Sequence, residues 1–191
     1  MKQRQFRRRP GKACARGGFT LIEVMIGSGI LVFAALALSR ATVQSMKLSQ
    51  QNRETALAQA AARQAMEDLQ ARPFDEIFTL FNSDPDDNPS GVPEPGTGFD
   101  VPGLSPRAGD PDQMVGQVIL PEIMNGGASE LREDFEDGAL GMPMDLDGNG
   151  FVDEDLSVAD TYQVLPVRIR LEWTGKGGDR VFEVRTVVSS R

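Results

Sequence analysis

The chain lacks histidine altogether and has one cysteine, one tryptophan and one tyrosine in 191 residues. Without histidine it lacks the usual general base near neutral pH and the commonest protein ligand for transition metals. Cys14 has no second thiol to pair with, so an intrachain disulfide is excluded. A lipid-anchored Cys14 would need an apolar run before it, and here that run follows. No nucleophile motif or phosphate-binding loop is present, so an enzyme is not expected.

Acidic residues are missing from residues 1–18, which hold seven bases: Lys2, Arg4, Arg7, Arg8, Arg9, Lys12 and Arg16. The rest of the chain keeps the other thirteen bases against 28 acids, a balance of −15. A basic leader suits the anionic inner face of a membrane, whereas the acidic body suits a cation-rich exterior. The same acidity, with no basic aromatic patch, argues against direct nucleic-acid binding.

Residues 19–38 read FTLIEVMIGSGILVFAALAL, with Glu23 their only charge. As a helix they would be about 30 Å long, enough to cross a bilayer's hydrocarbon core. The bases ahead of them orient the N-terminus toward the cytoplasm. An ordinary secretory signal would be shorter and would end in a small-x-small cleavage site, which does not follow here. A carboxylate at the centre of a membrane helix costs about 2.5–3.5 kcal/mol, so Glu23 needs a partner. Cleavage between Gly18 and Phe19 would create an α-amine four residues from Glu23, and that spacing predicts both on one face of the helix.

The stretch from Gly18 through Phe19, Thr20, Leu21, Ile22 and Glu23 to Ile26, behind a short basic leader, resembles the processing signature of type IV prepilins and type II secretion pseudopilins. The resemblance covers roughly residues 11–45. It implies a leader of residues 1–18 removed after Gly18 by prepilin peptidase, and N-methylation of Phe19. It further implies pairing of Glu23 with an N-terminal amine during assembly with other pilin or pseudopilin subunits. A bacterial inner membrane, with a periplasmic head, is the implied location. Many major pilins bend their helix at a proline about twenty residues into the mature chain. Leu38-Ser39-Arg40-Ala41 stands there instead, which points to a minor pilin or pseudopilin. The competing class is a membrane-anchored calcium-binding module for surface adhesion or DNA uptake.

From Ser39 to Arg72 there is no proline or glycine, and good helix formers dominate. Met46, Leu57, Ala61, Ala65 and Leu69 form an apolar stripe between polar residues such as Gln50, Arg53, Glu54 and Arg63, predicting an amphipathic stalk helix over 39–72. Pro73 ends it, with a brief restart across Asp75–Phe81. The remainder, 73–191, reads as a globular β head. Residues 82–112 are too rich in proline, glycine and aspartate for regular structure, and 113–121 read as a short strand. Val167–Trp173 and Phe182–Val188 alternate apolar and charged residues around TGKGGD, predicting a hairpin with Trp173 inward. The fold class expected is α+β, a long N-terminal helix packed on a small antiparallel sheet, as the pilin resemblance also implies.

Residues 145–155 supply oxygens at EF-hand spacing: Asp145, Asp147, Asn149, the Phe151 carbonyl and Asp153, with Gly150 for the turn. Position twelve is Leu156 rather than glutamate, leaving Asp155 or Glu154 to substitute. Calcium is the expected cofactor, stapling a head that has no disulfide. Asp84, Asp86 and Asp87 lack that spacing and read as a solvated turn.

Overall fold

The computed structural model describes residues 18–84, 86–88, 96–152, 156 and 162–190. The chain divides after Ser45 into two compact units. Helix α1 (Leu21–Gln70) runs through both. Every described residue of the first unit is exposed, including Leu21, Ile22, Leu31 and Phe33, each more than 60% exposed. Hydroxyls within α1 do not compete with its backbone ladder. Ser28 and Ser39 donate to the carbonyls of Met25 and Ala35, and Thr42 to that of Leu38, each at 2.9 Å.

The second unit is α+β. Its part of α1 buries Glu54, Ala58, Ala62 and Leu69, with Leu57, Ala61, Ala65 and Met66 partly covered. The stripe is therefore centred on small residues, which bring the helix axis close to what it covers. Two stripe assignments change. Met46 is 67% exposed, and Glu54, expected on the polar side, is 8% exposed. α1 ends at Gln70, two residues short of the predicted end, and α2 (Phe74–Phe81) restarts behind Pro73. α2 buries Ile77, Phe78, Leu80 and Phe81.

Strands β1 (Gly98–Phe99), β2 (Gly116–Ile119), β5 (Val164–Gly175) and β6 (Gly178–Ser189) form an antiparallel sheet in the order β1-β2-β5-β6. β3 (Glu122–Asn125) and β4 (Ala128–Leu131) form a separate hairpin. β5 and β6 pair along their full length, from Val164↔Ser189 to Gly175↔Gly178. The hairpin turn is thus tighter than the six-residue loop expected. Leu165, Val167, Ile169 and Leu171 are fully buried and Trp173 nearly so. The intervening charges pair instead: Arg168 meets Asp137 at 3.0 Å and Arg170 meets Glu183 at 3.2 Å. Residues 96–112 are mainly loop, as their composition requires, apart from the two residues of β1.

Candidate functional site

Gly18 and Phe19 are both exposed, Phe19 by 82%. The leader ahead of them, with Cys14, lies outside the described residues. α1 begins at Leu21 rather than Phe19. Thr20 precedes it, and its carbonyl accepts from the Glu23 N–H at 3.1 Å. The Thr20 hydroxyl oxygen accepts a longer bond from the same N–H, 3.4 Å. Thr20 and Glu23 have the spacing of a capping box, which starts the helix after Thr20. Phe19 therefore precedes the helix and shares no helical face with Glu23. The one charge of the apolar run occupies the first turn, where unpaired N–H groups favour a carboxylate. Among the described residues α1 is the one helix long and apolar enough to cross a membrane.

The acidic loop is built on the end of β4. Ser129 and Leu131 are buried, and Glu133 continues their alternation inward, with none of its surface exposed. Its Oε1 accepts from the Leu146 N–H at 2.5 Å and the Asp147 N–H at 3.2 Å, holding the loop's entry against the strand's continuation. Leu146, also fully buried, accepts at its carbonyl from the N–H groups of Gln163 and Val164, at 2.8 and 3.1 Å. The loop is thereby fixed to the start of β5.

Within the loop, Asp145 accepts from the N–H groups of Gly148 and Gly150, at 2.6 and 2.8 Å. Gly150 has φ +89°, a left-handed turn that glycine permits without strain. Asp147 accepts from both nitrogens of Asn149, and the Asn149 side-chain oxygen accepts from the Phe151 N–H at 2.7 Å. Carboxylate oxygens of Glu133, Asp145 and Asp147 lie within 4.8 Å of one another. The hydrogen bonds from Gly150 and Gly148 hold the Asp145 carboxyl below the usual carboxylate range.

Of the residues predicted from spacing, Asp145 and Asp147 come together. Asn149 belongs to the same turn, with its side chain engaged by Asp147 and Phe151. The Phe151 side chain is 73% exposed. Asp153, Glu154 and Asp155 lie outside the described residues. Leu156 at the twelfth place is a core residue, 4% exposed, whose N–H donates to the Leu131 carbonyl at 3.0 Å. Glu133 was missed because no loop periodicity contains it; its signal is the inward phase it shares with Ser129 and Leu131. Three carboxylates this close repel one another, and together they form an all-oxygen donor set suited to a hard divalent cation.

In the other acidic patch Asp86 and Asp87 are exposed in a turn, as expected, and only Asp84 departs from that reading. Asp84 is 7% exposed and accepts from the Asp86 N–H at 2.9 Å. Burial, together with the nearby carboxylates of Asp84 and Glu122, raises the Asp87 carboxyl above its ordinary range against the opposing hydrogen bond from Asn82. No protein-family model, curated protein or solved structure matches the chain.

Proposed function

We propose that this chain is a structural subunit of the type IV pilin class, a minor pilin or pseudopilin, held in a bacterial inner membrane by the first part of α1. The observation that carries the reading is the exposed apolar run of residues 19–38, charged only at Glu23 and preceded by a basic leader that ends at Gly18. A run so exposed needs lipid or neighbouring copies of similar helices to cover it. Prepilin peptidase removes the leader after Gly18 and N-methylates Phe19. The new amine at Phe19 then meets a Glu23, of the same chain or of a neighbouring subunit, and the pair between subunits is the one that sets the register of the assembling helices. An α+β second unit, with its own core, is the part such a subunit turns away from the filament axis.

Mass spectrometry of the natively produced protein tests this reading. The expected N-terminus is N-methyl-phenylalanine at Phe19. An intact leader, or cleavage after Leu38, would overturn it.

We propose further that calcium binds at Glu133, Asp145 and Asp147, with Glu133 taking the place that Leu156 leaves vacant in the EF-hand pattern. The fit rests on the three converging carboxylates and on the backbone hydrogen bonds that pre-position them. Bound calcium would neutralise their mutual repulsion and tie the loop between Glu133 and β5, where a small extracytoplasmic domain often carries a disulfide.

A further inference from the structure

β6 closes the sheet on one side, and among the described residues no strand pairs with its outer edge. Its register with β5 fixes which backbone groups face that edge. Gly175 and Gly178 close a two-residue turn, so the even-numbered residues of β6 exchange hydrogen bonds with β5. The Ser190 N–H, donating to the Gln163 carbonyl at 2.9 Å, keeps the same parity just beyond the strand. The N–H and C=O groups of Val181, Glu183, Arg185 and Val187 therefore point outward. Water hydrates any such groups, so their openness alone selects no partner. What sets this edge apart is that nothing blunts it. Its twelve residues hold no proline and no lysine, and no bulge interrupts the pairing with β5. Phe182, Val184 and Val188 on its inner side are apolar and only partly buried. An edge left in this state is a template for another chain.

The order of side chains along the outer face says which chain. Counting away from Val184, Glu183 stands on one side and Arg185 on the other, and beyond them Val181 and Val187. A second β6 laid antiparallel about a two-fold axis at Val184 sets Glu183 opposite Arg185 twice, and Val181 opposite Val187 twice. The backbone parity agrees. These four residues are the ones whose N–H and C=O groups face outward, and Val184 meets its counterpart as the non-hydrogen-bonded pair on the axis. Parallel pairing in register would set each charge beside its like. Val181 and Val187 are 53% and 55% exposed, and the second copy covers both. On the α1 side, a groove of about 670 Å³ lined by Ala62, Met66, Phe182 and Val184 receives the inner side chains of the second strand.

We propose that β6 is a homotypic docking edge, joining the four-stranded sheets of two copies of this chain into one continuous antiparallel sheet. The inference uses the second unit alone and goes beyond the filament reading. The two-fold axis stands normal to the sheet, so the two stretches of α1 from Met46 run in opposite directions. Such a contact joins chains held in opposed orientation, as in two filaments lying side by side, and not successive subunits of one filament.

Cross-linking of the full chain in detergent tests this, with Cys14→Ser in every variant so that the introduced thiol is the only one. Val181→Cys and Val187→Cys both replace exposed side chains. In a mixture of the two, the opposed Cα atoms stand about 5.5 Å apart, within disulfide reach. A mixed disulfide between positions 181 and 187 is expected under mild oxidation. Neither variant is expected to cross-link with itself, because each thiol lies about 20 Å from its own counterpart. Arg185→Glu is expected to weaken the association about tenfold, since it turns two opposite-charge pairs into like-charge ones. The fold tolerates that change, because position 185 faces Arg168 on β5. Three outcomes overturn the proposal: no mixed disulfide, equal cross-linking in each variant alone, or a mixed disulfide whose yield Arg185→Glu leaves unchanged. A strand of another protein as the true occupant gives the first of these.

Discussion

A carboxylate drawn away from bulk water needs something to balance it, and three glutamates of this chain meet that need differently. Glu133 is fully buried and accepts two backbone N–H groups from the acidic loop. Glu54 is buried with one oxygen unpaired. Glu23 stands in the first turn of α1, inside the apolar run. On the filament reading its balance comes from the amine at Phe19, so Glu23→Ala is expected to yield a stable, processed membrane protein that fails to enter filaments. Fractionation of sheared filaments against membranes measures this, and normal incorporation would remove Glu23 from assembly. The capping-box spacing from Thr20 to Glu23 could be read in the sequence, but its consequence, that Phe19 lies outside the helix, emerged only with the backbone.

Elements here are set by periodicity where one face is dry. β5 alternates without a break from Val167 to Trp173, and its inward side chains are the best-buried set in the core. Leu171→Ala is therefore expected to cost about 2–5 kcal/mol, the range for a large core side chain replaced by alanine. Val187→Ala on β6, where the side chain is 55% exposed, is expected to change stability by about 0.5 kcal/mol or less. Chemical denaturation followed by circular dichroism compares the two, and equal costs would contradict this account of the sheet. The stripe on α1 was legible only in part. Alternation in a strand is binary, but a helix stripe can rotate by one position, and the small residues Ala58 and Ala62 define its buried line better than the larger Met46. β3 and β4 were missed although Gly126-Gly127 separates them, directly after Asn125. Ile123 and Met124 of β3 are both exposed and blur the polar–apolar contrast by which a half-buried strand is recognised.

For the whole molecule the question is what replaces a disulfide. If calcium fills the Glu133–Asp145–Asp147 cluster, a free concentration one hundred times the Kd adds about 2.7 kcal/mol to the folded state. The melting temperature of the second unit should then rise by about 5–10 °C over that in chelator, and Glu133→Gln should remove most of the rise. Superimposable melting curves would exclude the staple. The loop should also respond to acid. Asp145 is held below its ordinary value of 3.8 in the folded chain, so it contributes stability above that value. That contribution is lost as pH falls from 3.8 through the lower folded value, and Asp145→Asn should flatten this part of the stability–pH curve. Thermal melts of the two proteins across the acid range read it directly.

The sequence by itself determined the membrane-length run and its single charge, the two-helix break at Pro73, the long hairpin with Trp173 inward, and the metal-like spacing of Asp145 and Asp147. These are local properties: hydrophobic length, backbone restriction by proline, period-two alternation and side chains two residues apart. Tertiary structure decided what depends on residues distant in the chain. It brought Glu133 to the acidic loop, turned Leu156 into the core instead of toward a cation, buried Asp84, and set Glu54 of α1 against Trp173 of β5. The physical reason is common to all four. Whether a polar group is satisfied, orphaned or crowded by like charge is a matter of which other segment folds over it, and one-dimensional spacing carries no record of that.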